Sequence, residues 1–150
     1  MEFEIVTKSA DETVMLGERI GSQLRGGEVF GICGPLGSGK TQLIKGIAAG
    51  AGAGPGEQVT SPTFVLVNEY EGARGLTIYH IDAYRLNSAA EFEMLGFDDF
   101  CSGGSVVLIE WADKVEASLQ SIRWIRVELS HAGPNQRAIR IQNMPEYTAL

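Results

Sequence analysis

The sequence predicts an α/β fold in which helices flank a mixed β-sheet. Short apolar runs typical of buried strands alternate with helix-compatible segments along the chain. A glycine-rich turn, residues 34–41, joins one such strand directly to one such helix. Ser9 and Ser88 are each followed three residues later by glutamate, which is the capping-box pattern that opens a helix. Because no repeat or linker divides the 150 residues, we expect a single domain, residues 1–150.

Two strands and two helices are predicted in the first third of the chain. The first helix starts after Ser9 and should end near Gly26 and Gly27, because glycines commonly terminate helices. The second should fray into Gly50–Gly56, where closely spaced glycines cost too much backbone entropy for a helix, so we expect a flexible loop there. In order, the elements are a strand at Phe3–Val6, a helix with apolar positions Val14, Leu16, Ile20 and Leu24, a strand at Val29–Cys33, and a helix at Gln42–Ala49.

The remainder of the chain is predicted to supply most of the sheet. Val106–Ile109 is a continuous apolar run, as expected of a strand buried on both faces. The link Glu71–Gly75 is short enough to join its flanking strands as an antiparallel hairpin. Ser88 should open a short helix that continues through Leu95, and Ala112–Leu119 should form another. The other strands are predicted at Thr63–Tyr70, Leu76–Ile81, Ile122–Leu129 and Ala138–Ile141, with a turn at residues 130–136 before the last.

Composition argues against several classes of protein. Charged residues make up 21% and hydrophobic residues 44%, and the net charge of −7 argues against a broad nucleic-acid-binding face. The two cysteines suggest no disulfide framework: Cys33 lies in an apolar strand and should be buried, and Cys101 should be a free thiol in a reducing compartment. The N-terminus has no signal-like pattern, and no apolar run approaches membrane-spanning length. The sequence therefore predicts a cytoplasmic protein with no membrane partner.

The segment Gly34–Thr41 carries the most specific chemistry. It reads GPLGSGKT and matches the phosphate-binding pattern G-x-x-x-x-G-K-[ST], between the strand and the helix that this motif needs. Glycines let backbone N–H groups crowd around an anion, and the helix N-terminus adds partial positive charge. Lys40 should reach the β- and γ-phosphates, and the Thr41 hydroxyl should serve Mg²⁺. The residues expected to surround the phosphates are Leu36, Gly37, Ser38, Gly39, Lys40 and Thr41. The sequence therefore predicts a P-loop NTPase-like domain with ATP and Mg²⁺ as cofactors.

Two carboxylates that end predicted strands are the candidates for catalysis. Hydrolysis needs an acidic group near the ion and a group that places the attacking water. Glu110 follows Val106–Ile109 and is the stronger metal candidate, because that strand should be central, whereas Asp82 ends the preceding strand. Ligands in α/β folds bind outside the carboxyl ends of the strands. Either carboxylate could instead be an exposed turn residue, and the residues alone leave the division of roles open.

Four further features have both a functional and a structural interpretation. Ser61-Pro62-Thr63 could close over the γ-phosphate like a switch loop, or could simply enter a strand. His80 could orient a carboxylate or a water, although a lone strand histidine is more often structural. Trp111 could stack on a base or on a partner, although core packing is the commoner role. Arg85 could pair with phosphate or with an acidic neighbour.

Taken in order, these segments strongly resemble the bacterial TsaE family. The phosphate loop is followed by S-P-T-F at Ser61–Phe64, by H-x-D-x-Y-R-L at His80–Leu86 and by Glu110-Trp111, and Leu16–Arg19 also matches in the first helix. The phosphate loop alone is common to many families, but this set in this order is specific, and the likeness covers nearly the whole chain. Members of the family are the ATPase subunit of the machinery that makes threonylcarbamoyladenosine in tRNA.

The resemblance implies a role for each matching position. Thr41 and Glu110 would serve Mg²⁺, Asp82 would be needed for hydrolysis, and residues 61–64 would form a switch-like loop. The segment before the first helix, which would correspond here to Ala10 through Thr13, and a C-terminal arginine, which would correspond to Arg137, would also approach the nucleotide.

One position departs from the family pattern. Pro35 stands where the family often carries Asp, and proline removes a backbone donor. Because the position lies early in the loop, we expect binding to survive. The implied partners are TsaD and TsaB homologues, with tRNA reached only indirectly through their complex.

Three alternatives stay open on the residues alone. A small-molecule kinase usually has an arginine-rich lid, and only Arg74 and Arg85 lie near the middle of the chain. A GTPase would carry an Asn/Thr-Lys-x-Asp motif, and Thr7–Ala10 lacks its acidic residue. A nucleotide-sensing binding module without turnover differs from a slow, partner-dependent ATPase only in its kinetics.

Overall fold

The computed structural model describes residues 1–54 and 67–150 of the chain. These residues form a mixed seven-stranded sheet with helices on both faces, which confirms the predicted fold class. The strands are β1 (Phe3–Thr7), β2 (Val29–Cys33), β3 (Val67–Glu71), β4 (Thr77–Asp82), β5 (Ser105–Glu110), β6 (Ile125–His131) and β7 (Arg137–Gln142). The helices are α1 (Ala10–Gly21), α2 (Lys40–Gly50), α3 (Ala89–Met94), α4 (Phe97–Phe100) and α5 (Glu116–Leu119), with 3₁₀ turns at Ala83–Arg85 and Ala112–Val115.

The sheet has a parallel centre and antiparallel edges. Its strand order is β1-β7-β6-β2-β5-β4-β3, in which β6, β2, β5 and β4 are parallel. β3 pairs antiparallel with β4, as predicted for the hairpin, and β7 pairs antiparallel with β6 and β1. Because parallel strands end at the same edge of a sheet, the carboxyl ends of β2, β4 and β5 lie side by side. Glu110 of β5 is thereby in register with Ile32 of β2 and Asp82 of β4.

The core is divided between the two faces of the sheet. α1 and α2 cover one face, where Ile20 and Leu43 pack with Phe30 and Leu108. The shorter helices and the 3₁₀ turns cover the other face, where Phe92 packs with strand residues such as Ile109. Every residue of β5 is buried, so its prediction as a strand enclosed on both faces is confirmed.

α1 and α2 touch backbone to backbone through glycines. A Cβ atom on Gly46 would lie 2.1 Å from the carbonyl oxygen of Val14, and one on Gly50 would lie 2.2 Å from that of Glu18. The later residue of α1, Glu18, contacts the later residue of α2, Gly50, so the two helices run parallel. Since α2 begins where β2 ends, the first turns of both helices lie at the carboxyl edge of the sheet. The contact therefore fixes the start of α1 beside the start of α2.

Both predicted capping boxes are present. The Ser9 hydroxyl accepts a hydrogen bond from the Glu12 N–H at 3.1 Å, and the Glu12 carboxylate accepts one from the Lys8 N–H at 3.0 Å. At α3, the Ser88 hydroxyl accepts from the Glu91 N–H at 3.2 Å. Each serine satisfies a backbone donor that a helix start would otherwise leave unpaired.

The predicted end of the first helix is wrong. α1 ends at Gly21 rather than near Gly26 and Gly27. The reason lies elsewhere in the chain, because the Arg74 guanidinium donates to the carbonyl oxygens of Gly21 at 3.4 Å and Leu24 at 3.0 Å. These carbonyls therefore have a partner outside the helix, and Leu24 is buried in the core without being helical.

Several other boundaries also differ from the sequence predictions. Gly50 belongs to α2, and the turn that follows is packed against the β3–β4 link, where the Ala73 N–H donates to the Ala51 carbonyl at 2.8 Å. The predicted loop residues 55–56 and strand residues 63–66 lie outside the described part of the chain. The helix predicted at residues 112–119 is a 3₁₀ turn followed by α5, β6 begins at Ile125, and α4 was not predicted. No helix in the described ranges is both long and apolar enough to cross a membrane.

Gly46→Ala should destabilise the fold through overpacking. The new methyl group would meet the α1 backbone, which cannot move aside as a flexible side chain does, and overpacking of this kind costs about 1–3 kcal/mol. Alanine's better helix propensity returns only about 1 kcal/mol. Gly103→Ala is the control, because a Cβ atom there has no neighbour within 4 Å. Urea unfolding of both variants measures the effect, and equal midpoints would contradict the close backbone contact.

Candidate functional site

A cleft of about 360 Å³ lies at the carboxyl edge of the sheet. Its floor is the loop between β2 and α2, and its walls come from the start of α1, the end of β5 and the β6–β7 turn. The residues that line it are Ala10, Thr13, Leu36, Gly37, Gly39, Lys40, Thr41, Gln42, Glu110, Trp111, Asn135 and Arg137. Nearly all of the predicted site residues are thus brought together, and the exceptions within the described ranges are Ser38, whose side chain is buried, and Asp82.

The predicted phosphate loop has the backbone shape of an anion-binding turn. Gly34, Gly37 and Gly39 have φ angles of 152°, 75° and 98°, in the left-handed region that favours glycine. Gly34 is also sterically required, because a Cβ atom there would lie 2.6 Å from both the Leu129 carbonyl oxygen and the Ser38 hydroxyl. The Ser38 N–H closes the turn by donating to the Pro35 carbonyl at 3.1 Å. Proline is compatible here because its carbonyl, rather than an N–H, takes part in the turn.

Lys40, the first residue of α2, folds back over this loop. Its Nζ donates to the carbonyl oxygens of Gly34 at 2.7 Å and Pro35 at 2.8 Å. The same ammonium lies 3.7 Å from the centroid of the Trp111 ring, within cation–π range. Burial lowers the pKa of Lys40, and the nearby Glu110 carboxylate opposes this shift. A buried ammonium thus sits beside the loop, held by neutral acceptors and an aromatic face.

Thr41, Glu110 and His80 form a connected polar group. The Thr41 hydroxyl lies 3.3 Å from Glu110 Oε2, and the other carboxylate oxygen, Oε1, lies 3.1 Å from His80 Nε2. Magnesium binds oxygen ligands at about 2.1 Å in octahedral geometry, so two neighbouring ligands on one ion are about 3 Å apart. The Thr41–Glu110 separation is close to that value, so these two side chains fit one Mg²⁺ ion. In the described ranges no group of three or more His, Cys, Asp or Glu side chains could hold a metal ion by itself.

Asp82 lies next to Glu110 on the neighbouring strand but has a different environment. The two residues are in register across the parallel β4–β5 pair. Asp82 Oδ1 accepts a hydrogen bond from the Tyr84 N–H at 3.0 Å and so caps the following 3₁₀ turn. Asp82 as a whole is 7% exposed, and its charge contributes to the electrostatic field at Lys40. Asp82 is therefore near the cleft, with one of its oxygens engaged in capping.

The opposite end of the cleft lies between α1 and the β6–β7 turn. Thr13 is held by hydrogen bonds of its hydroxyl to the Thr7 hydroxyl at 2.7 Å and to the Ser9 carbonyl at 3.2 Å. Arg137 donates to the Gly37 carbonyl at 3.3 Å, which ties β7 to the tip of the loop. In the sheet, β6 and β7 lie on the opposite side of β2 from β5, so the β6–β7 turn lines the cleft on the side away from Glu110. The cleft thus has a carboxylate end, at Glu110, and an outer end lined by α1 and the β6–β7 turn.

Comparison with known proteins identifies the chain's relatives. The family model described as "Threonylcarbamoyl adenosine biosynthesis protein TsaE" matches residues 7–139. The chain belongs to the TsaE family. It is 40% identical over 114 residues to a tRNA threonylcarbamoyladenosine biosynthesis protein TsaE from Treponema pallidum, covering 76% of this chain and 82% of that protein. It is 35% identical over 133 residues to the Bacillus subtilis protein of the same name, covering 89% and 80% of the two chains.

A solved structure has the same fold over most of its length. The crystal structure of Bacillus subtilis YdiB matches with a TM-score of 0.74 and 30% identity, covering 94% of this chain and 84% of that chain. The fold of this TsaE family member is therefore shared with a protein of known structure. The resemblance noted from the order of the motifs is confirmed.

Sequence reasoning left the role of Trp111 undecided. Its φ angle is 62°, which is unusual for a bulky residue and turns the chain directly after Glu110. The half-buried ring lies 4.9 Å from the Tyr84 ring, between centroids, as well as over Lys40. Trp111 therefore lines the cleft and also packs against Tyr84. The neighbouring sequence does not indicate its backbone conformation.

The other undecided residues have different outcomes. His80 is fully buried and contacts Glu110, so the suggestion that it orients a carboxylate agrees with the geometry. Arg85 is exposed on the 3₁₀ turn. Gln42 and Asn135 line the cleft without having been predicted, and the only signal for them was their position beside Thr41 and Arg137. Ser61–Phe64, the predicted switch loop, lies outside the described residues.

Proposed function

We propose that this chain binds ATP with Mg²⁺ and hydrolyses it slowly in the cytoplasm. In doing so it would support the formation of N6-threonylcarbamoyladenosine in tRNA by cycling a complex of TsaB and TsaD homologues. The observation that carries the proposal is the convergence of Lys40, Thr41 and Glu110 on one cleft floored by the phosphate loop. The family, whose name refers to threonylcarbamoyl adenosine biosynthesis, supplies the biological context.

The lining of the cleft supports a nucleoside triphosphate as its ligand. Phosphate oxygens would meet the N-terminus of α2 and would draw the Lys40 ammonium from the loop carbonyls, because charge-assisted hydrogen bonds are stronger than neutral ones. The outer end, between Thr13 and Asn135, would then receive the ribose and base. Arg137, already placed beside the loop, would add a positive charge near the phosphates.

Hydrolysis would use the carboxylate end of the cleft. When bound, Mg²⁺ would neutralise charge on the β- and γ-phosphates. Thr41 and Glu110 would hold it, and Asp82 would orient a water towards the γ-phosphorus. The water oxygen would form the new bond to phosphorus, the bond to the β–γ bridging oxygen would break, and ADP, inorganic phosphate and a proton would leave.

Slow hydrolysis by the chain alone fits the distribution of its arginines. An arginine finger is worth on the order of a thousandfold or more in phosphoryl transfer. In the described ranges Arg137 is the arginine that lines the cleft, and it lies beside Gly37 rather than beside Glu110. A partner that completes the carboxylate end would therefore accelerate turnover, which supports the role of an ATPase that acts within a complex.

Lys40→Ala should weaken ATP binding on the order of a hundredfold, because the phosphates lose a charged donor. The fold should persist, since Lys40 contacts the loop rather than the core clusters. Calorimetric titration with ATP measures the affinity, and circular dichroism checks the fold. Lys45→Ala is the matched control, since Lys45 lies further along α2 and is not among the described residues that line the cleft. Unchanged affinity in the Lys40 variant would refute the phosphate-loop assignment.

Asp82→Asn and Glu110→Gln should separate the roles of the two carboxylates. Asparagine keeps an oxygen for the Tyr84 cap, so Asp82→Asn should fold normally, bind ATP within twofold of the original and hydrolyse it about a hundredfold more slowly. Glu110→Gln should instead raise the Mg²⁺ concentration needed for tight binding. Single-turnover hydrolysis and Mg²⁺-dependent titration measure the two effects. Near-normal turnover in Asp82→Asn would return that residue to a purely capping role.

Assembly with TsaB and TsaD homologues should depend on nucleotide. Gel filtration of the three proteins with ATP, with a non-hydrolysable analogue and without nucleotide should recover the complex in different amounts. The Lys40→Ala protein should not respond to ATP, whereas Lys45→Ala should respond normally. Equal recovery in every condition, together with tRNA modification that proceeds without this chain, would refute the ATPase-subunit proposal.

A further inference from the structure

His80 is a fully buried polar residue of the sheet. It lies in strand β4, in register with Leu108 of β5 and with Asn68 of β3, and its side chain has no exposed surface. Its Nε2 atom lies 3.1 Å from Glu110 Oε1. Glu110 Oε2, the other oxygen of the same carboxylate, lies 3.3 Å from the Thr41 hydroxyl. The imidazole and the threonine therefore engage opposite oxygens of one carboxylate.

We propose that His80 is a positioning residue that fixes the orientation of Glu110. By holding Oε1, the imidazole directs Oε2 towards Thr41 and hence towards the ion that these two side chains would share. The inference rests on the proposed function, because it assigns a task within the Mg²⁺ site. A glutamate side chain has several rotamers, and in the one observed here Oε2 lies beside Thr41 in the first turn of α2 while Oε1 contacts His80. Outer partners of metal ligands commonly select such an orientation.

The hydrogen-bonding pattern also assigns the tautomer of the ring. An ionised carboxylate can only accept hydrogen bonds, so His80 Nε2 must carry the proton that it donates to Oε1. Nδ1 is buried and has no hydrogen-bond partner in the part of the chain that the structure describes. A proton on Nδ1 would be buried without an acceptor there, which is unfavourable. The ring therefore acts as a single donor, aimed at Glu110.

Substitutions of His80 distinguish a positioning role from simple packing. If His80 only filled space, leucine would replace it without effect on the metal site. If it positions Glu110, leucine should weaken Mg²⁺ binding tenfold to a hundredfold, the range found for outer partners of metal ligands. Glutamine can place an amide N–H near the position of the imidazole Nε2, so His80→Gln should recover most of the loss.

The first test compares nucleotide binding with and without metal. The affinity of the β,γ-imido analogue of ATP is measured by calorimetry in Mg²⁺ and again in EDTA, for the original protein, His80→Leu, His80→Gln and Glu110→Gln. In His80→Leu the advantage conferred by Mg²⁺ should fall at least tenfold, while the affinity in EDTA stays within twofold. His80→Gln should restore the Mg²⁺ advantage. An unchanged advantage in His80→Leu overturns the inference.

The Glu110→Gln protein separates this inference from the proposed function. If Glu110→Gln loses the Mg²⁺ advantage and His80→Leu keeps it, the metal site stands and the role of His80 fails. If the original protein gains nothing from Mg²⁺, the proposed metal site itself fails, and the inference fails with it. Urea unfolding of each variant shows whether a loss of affinity arises from loss of the fold.

The second test needs neither metal nor activity. The chain has two histidines, so the ring nitrogens of a protein labelled with ¹⁵N-histidine are assigned by the signals that disappear in His80→Gln. Two-bond proton–nitrogen correlations distinguish the tautomers. The proposal requires a protonated Nε2 and an unprotonated Nδ1 on His80, and a protonated Nδ1 overturns it. This measurement of the His80 tautomer tests the proposal even if His80→Leu does not fold.

Discussion

The direct backbone contact between α1 and α2 is the constraint on which the rest of the molecule depends. Gly17 and Gly46 lie inside these helices, where glycine costs about 1 kcal/mol relative to alanine. Glycine is nevertheless needed at these two positions, because a Cβ atom at either one would overlap the backbone of the opposite helix. The resulting approach sets α1 against the helix that carries Lys40 and Thr41. One end of the cleft, formed by Ala10 and Thr13, is thereby fixed relative to the loop at residues 34–41.

The parallel centre of the sheet fixes the opposite end of the cleft. β2 delivers the chain to the phosphate loop, β5 ends in Glu110, and β4 ends in Asp82, all at the same edge. Ladder hydrogen bonds hold each of these backbones to its neighbours, so the side chains begin from rigid positions. The polar contacts then have only to choose rotamers, which is the role proposed for the contact of His80 with Glu110. A metal site with the few protein ligands proposed here would suit Mg²⁺, which usually keeps waters and binds substrate phosphates as well.

Much of this could be predicted from local sequence, and what could not be predicted depends on distant residues. The glycine-rich turn at residues 34–41 and the serine caps are set by neighbouring residues, so their patterns were sufficient to predict their backbone structure. The end of α1 was missed because Arg74, which contacts the Gly21 and Leu24 carbonyls, is about 50 residues away. The role of His80 stayed open because Glu110 is 30 residues away and becomes its neighbour only through strand pairing. The conformation of Trp111 was not predicted, because nothing in the neighbouring sequence indicates a positive φ angle.

The arrangement of Lys40 bears on how the loop would distinguish nucleotides. Its ammonium is already satisfied by two loop carbonyls and the Trp111 ring, so nucleotide binding would exchange partners rather than create interactions from nothing. Only a partner with greater negative charge favours the exchange, since neutral acceptors offer no gain over the carbonyls. Under the proposed function, the exchange would therefore be driven by the phosphates that Lys40 reaches and would be largely insensitive to the base. The proposed loop would then respond to the phosphates of its ligand, which is the property required of a subunit whose contacts with partners would follow the state of its nucleotide.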